Sequence, residues 1–311
     1  MKKIYLKQGI LSELSPAGKL GITAIIILAT FFVFFVLGVL IAILVFRINF
    51  FESAYIFTDL SNPDNVNIIK FFQIIQSTGI FLIPPFLIGY LFENNSFKYL
   101  SIKNKPKLLP IIFTGITMIA AIPLINFLAS INAQMKLPEF LSGLENWMKY
   151  SEQEAQKIGD AFINVSTFNG FMVNILMIAI IPAFGEEFLF RGVIQRIFKD
   201  WTKNIHWAIF ITALLFSAMH MQFFGFIPRF LMGVFLGYLF AWSGSIWLPI
   251  TAHFINNCFA VVFSYLLFTK KISINLDTLG SSSDTIIYLI FSIIITSSLI
   301  FLIYKTQRRN V

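Results

Sequence analysis

Glu186, Glu187 and Arg191 stand in the stretch AFGEEFLFRGVI, which is otherwise suited to lipid. A charged side chain at the bilayer centre costs about 2.5–3.5 kcal/mol on insertion scales, so three together call for a use. Two more polar stretches follow: LLFSAMH, ending at His220, and LPITAHFINN, holding His253 and Asn257. At the helical rise, Glu186 lies about 20 Å from Lys199 and His220 about 22 Å from Ile205. His253 and Asn257 lie about 14 and 20 Å from Gly244. Three apolar segments thus bring ionisable and amide groups to similar depth.

Helical angles sort these groups. Glu187 and Arg191 are four residues apart, share a face and can pair. Glu186 is about 140° around from Arg191 and pairs poorly with it. Arg191 is therefore expected to hold Glu187, leaving Glu186 to face His220. A carboxylate in a partly dry pocket is suited to act as a base near neutral pH. Phe216 shares a face with His220, and His253 with Asn257. Pro182 and Pro249 each precede a polar residue by four positions and are expected to kink their helices, opening room for water. Polar groups of this kind can simply join helices, but buried ionisable groups in a membrane are functional by default.

The elements that must position these residues follow from composition. The chain has 311 residues, is 57% hydrophobic and only 12% charged, and contains 38 Phe. A soluble domain carries about 25% charged residues. Apolar runs of about 20 residues recur, which predicts an all-α, polytopic membrane bundle in a single domain, 1–311. A membrane β-barrel would alternate apolar and polar residues, and these runs do not. Eight segments are expected, near 20–46, 68–92, 108–130, 169–198, 205–222, 228–243, 245–267 and 285–304. Pro84-Pro85 should break or bend the second. The first is too long for a signal-peptide core and is read as a retained helix.

Charge sets the expected orientation. Lys2, Lys3, Lys7, Lys19, Lys98, Lys103, Lys105, Lys107, Arg196, Lys199, Lys203, Lys305, Arg308 and Arg309 fall on one face, most acids on the other. The positive-inside rule then puts both termini in the cytoplasm. The net charge of +8 reads as topology with some attraction for membrane lipid, and nucleic acid is not expected as a partner. Between 131 and 166 an extracytoplasmic connector holds an amphipathic helix, with Leu137, Phe140, Leu141, Leu144, Trp147 and Met148 at helical spacing. His206, beside Trp207, reads as interfacial. The lone Cys258 reads as a packing residue, so a cysteine protease is disfavoured.

The phrases Glu186-Glu187-Phe-Leu-Phe-Arg191, Phe216-Ser-Ala-Met-His220 and His253-Phe-Ile-Asn-Asn257 resemble the E-E-x-x-x-R, F-x-x-x-H and H-x-x-x-N motifs of the CAAX protease and bacteriocin-processing (CPBP, Abi) family. Its members are intramembrane glutamic endopeptidases. All three motifs occur in order, across about residues 183–257. The resemblance implies a catalytic four-helix core at 169–267. It implies that Glu186 and His220 position and activate a water, and that His253 and Asn257 stabilise the oxyanion. Glu187, Arg191 and Phe216 would support them. Peptide hydrolysis needs such a base and such donors. The expected substrate is a membrane-associated peptide or lipid-modified protein. No cofactor and no metal are expected, since H-E-x-x-H is absent, although a Glu and two His could bind zinc. A proton-coupled transporter and a non-catalytic immunity protein are the rival readings. The Phe, Ile, Asn and Lys bias suggests a bacterial cell membrane.

Overall fold

The computed structural model describes residues 9–48, 55–56, 58–273, 276 and 278–307. Lys2, Lys3, Lys7, Arg308 and Arg309 of the charge reading lie outside these. Among the described residues there are helices and no strands. The principal helices are α1 (Pro16–Phe46), α2 (Pro63–Glu93), α3 (Ser96–Tyr99), α4 (Leu108–Ala120), α5 (Ile122–Gln134), α6 (Ser142–Ile163), α7 (Phe168–Thr202), α8 (Ile205–Ala218), α9 (Phe226–Ser243), α10 (Trp247–Phe268) and α11 (Ile286–Gln307).

Six helices are long and apolar enough to cross a membrane, or seven if the α4–α5 pair is one span. The expected eight also includes the shorter apolar helix α8. The pair is bent by 45°, because Pro123 has no N–H for the carbonyl four residues back. Beside the bend, Ser292 on α11 donates to the carbonyl of Ala120, at 2.6 Å. The segment expected at 205–222 stops being helical at Ala218, and 14 residues reach only about 21 Å.

Prolines act less simply than the sequence suggests. α2 continues through Pro84-Pro85, after a wide π-helical turn at Thr78–Leu82. Such a turn shifts the hydrogen-bond ladder by one residue and so accommodates missing donors. Pro249 falls in the first turn of α10, where its missing N–H would have been unpaired anyway, so the kink expected there does not form. The amphipathic helix begins at Ser142, later than its apolar spacing suggested, and runs on to Ile163. Leu137 precedes it and donates its N–H to Glu145.

α7 is the axis of the bundle. Phe188, Leu189, Val193 and Ile197 from it pack with Ile88, Phe92 and Leu100 on one side and Phe240, Ile246 and Ile250 on the other. α2 can approach closely because Gly185 has no side chain: a Cβ there would sit 2.8 Å from that of Phe81. The helices run alternately between two ends. At one end Arg196 donates to Ser101 and Trp247 to the Ile102 carbonyl, beside Lys98, Lys103 and Lys199. At the other end Lys70, buried, donates to the Phe162 carbonyl and to Asn174, tying α6 to α2 and α7.

Candidate active site

Two π-helical turns, Ile175–Ile180 and Phe190–Ile194, bracket the polar part of α7. Between them Glu186 and Glu187 point to different surroundings. Glu187 and Arg191 are completely buried, and Arg191 Nη1 donates to Glu187 Oε1 at 2.7 Å. Arg191 Nη2 donates to the Gly233 carbonyl of α9 at 3.0 Å. The guanidinium also lies over the Phe216 ring, 4.7 Å from its centre. A cation so placed can tolerate burial, because both terminal nitrogens find acceptors and its face lies on a ring, although Nε is buried without a partner.

His253 joins this pair. Its Nδ1 lies 2.8 Å from the same Glu187 oxygen. A carboxylate only accepts, so Nδ1 carries the proton. Its Nε2 then points toward Glu186 Oε2, 4.0 Å away. The sequence reading had Glu186 facing His220, whereas its nearest basic partner is His253. Glu186 Oε2 is buried with no hydrogen-bond partner.

His220 reaches the same place from beyond its helix. With α8 ended, the Phe216 carbonyl has lost its usual donor, since the N–H of His220 goes to Ser217 instead. The side chain replaces it: Nδ1 lies 2.8 Å from that carbonyl. Nδ1 must again be the protonated nitrogen, which leaves Nε2 with a lone pair. Phe216 meets both imidazoles edge to face, at 5.1 Å for His220 and 5.9 Å for His253.

Asn257 is positioned by Pro182. The Ile178 carbonyl is four residues before that proline, which has no N–H to offer it. Asn257 Nδ2 donates to it at 2.9 Å, leaving one amide hydrogen. Asn256 donates to Asn257 Oδ1 at 3.1 Å, fixing which end is which.

Glu186, Phe216, His220, His253 and Asn257 line one cavity of about 360 Å³. Glu187 and Arg191 lie behind its wall. Ala155, Ile158, Gly159 and Phe162 of α6 also line it, so the amphipathic helix covers the site. Cys258 is half-buried and is not part of the lining. Among the described residues no three His, Cys, Asp or Glu side chains converge as a metal-binding group.

A charged lining residue escaped the sequence reading. Arg229 reaches the cavity from the first turn of α9, held by the carbonyl and side-chain oxygens of Gln222 at 3.2 and 2.7 Å. Its signal was a lone cation near the start of an apolar run.

Residues 168–259 match the family model described as type II CAAX prenyl endopeptidase Rce1-like. The chain is also 33% identical over 101 residues to a Bacillus subtilis (strain 168) protein described as uncharacterized protein YpbD. That stretch is 31% of this chain and spans about half, 49%, of the relative. No solved structure matches. The segment that resembles the Rce1-like family of type II CAAX prenyl endopeptidases, residues 168–259, holds every motif residue named above.

Proposed function

We propose that the chain is an intramembrane endopeptidase of the glutamic type, hydrolysing a peptide bond in a membrane-associated peptide or protein. The observation that carries this reading is the Glu186 carboxylate, its Oε2 without a hydrogen-bond partner, in one cavity with His220, His253 and Asn257. Glu186 takes a proton from water as the water oxygen bonds to the scissile carbonyl carbon. His220, through its free Nε2, orients that water. The carbonyl oxygen becomes an oxyanion, met by the second amide hydrogen of Asn257 and by His253 Nε2 when that ring is protonated. Glu187 favours the protonated ring by accepting from Nδ1. The C–N bond then breaks, and Glu186 returns its proton to the leaving amine.

The basic end of the bundle lies in the cytoplasm under this reading. The cavity, covered by α6 at the opposite end, then receives substrate from the extracytoplasmic side. Both termini are cytoplasmic, and the membrane is bacterial.

The test is cleavage of a peptide library by the purified chain in liposomes, with the Glu186→Gln protein as control and a strong chelator in a parallel arm. Glu186-dependent, chelator-resistant products are expected. Cleavage equal in the control would remove the assigned base, and loss in chelator restored by zinc would replace this mechanism with a metal-dependent one.

A further inference from the structure

A larger cavity, about 470 Å³, lies at the basic end, away from the catalytic one, with Arg196, Lys199, His206, Tyr238, Trp242 and Tyr304 in its lining. α7 and α9 end beside it, at Thr202 and Ser243, and α8 begins there at Ile205. Helices that cross the apolar slab end at headgroup depth, where amphipathic rings gather. Trp242 packs against both Tyr238 and Tyr304, with ring centres 5.3 Å apart in each case.

The polar groups in this lining are incompletely matched. Arg196 donates to the Ser101 hydroxyl at 2.6 Å and lies between the rings of Tyr99 and Phe240. None of those partners is anionic, and its Nε is buried without an acceptor. Of the acids near Arg196, Glu93 is paired with Lys98 and Asp200 is exposed. Gln195 is 1% exposed and also lines the cavity. Its Nε2 donates to the Gly237 carbonyl at 3.1 Å, which identifies Oε1 as the end with no partner. The cavity therefore offers cationic donors, from Arg196 and Lys199, for an anion.

We propose that this cavity binds an anionic phosphate ester. Arg196 and Lys199 meet the phosphate oxygens. An anionic phospholipid headgroup and a soluble phosphate ester share this chemistry.

The test is native mass spectrometry of the full chain, delipidated in neutral detergent. Phosphatidylglycerol and phosphatidylcholine of matched acyl chains are added, with glycerol 3-phosphate as soluble competitor. Phosphatidylglycerol should be retained about 10-fold better, the scale of one charge-assisted contact. Lys199→Ala, at an exposed position, should remove most of that preference without changing the melting temperature, and Arg196→Gln should remove it with a lower melting temperature, because its contacts to Ser101, Tyr99 and Phe240 are lost. Retention that resists the competitor supports a lipid as the source; displacement at equal concentration supports a soluble ester. Equal retention of both lipids with no binding of glycerol 3-phosphate, or a preference unchanged in folded Lys199→Ala, would overturn the proposal.

Discussion

Glu187 accepts from Arg191 and His253 through one oxygen, with all three side chains out of water. Removing one partner of such a set leaves a buried charge unmatched, at a cost of about 3–5 kcal/mol. Glu187→Ala is therefore expected to lower the melting temperature in detergent sharply and abolish cleavage. Replacing both ions by Met should recover much of the stability, since apolar side chains of similar volume substitute well for a buried pair. Activity should stay absent, because His253 has lost its acceptor. A double variant that regains cleavage would show that Glu187 serves the fold alone. The Glu187–Arg191 contact was legible from their spacing of four. The part played by His253 was not, because it depends on how α10 crosses α7.

Local backbone chemistry sets where the site elements end and bend. Pro182 leaves the Ile178 carbonyl for Asn257, so the two residues should be coupled. Asn257→Ala should cost about 1–2 kcal/mol for the abandoned carbonyl, and clearly less when Pro182→Ala restores an N–H. Equal costs in both backgrounds would refute the coupling. Lys70 ties the end of α6 to the bundle through the Phe162 carbonyl and Asn174. Lys70→Met should speed amide hydrogen exchange across residues 155–163 selectively, and unchanged exchange there would contradict the tie. Each apolar run expected from the sequence contains helix. The end of α8 was hidden because Phe216–Met221 remains apolar enough to read as a continuing helix. Only the His220 side chain, capping its own helix, reveals the stop.

At the scale of the molecule, alternating helices separate a basic end from the end where α6 covers the catalytic cavity. In a Cys258→Ala background, an impermeant maleimide applied to intact cells should label Lys157→Cys and spare Lys103→Cys. The reverse pattern would invert the orientation. The all-α bundle was legible from composition, whereas the ends of its helices were not, since hydropathy does not measure where a helix stops. All of this serves one arrangement, in which Glu186 readies a water beside His220. The most direct measurement is the single-turnover cleavage rate of wild-type protein and Glu186→Gln in the same liposomes, with melting temperatures matched. A fall of about 100-fold or more is expected, the scale of a lost general base; a variant that cleaves at the wild-type rate would contradict the account.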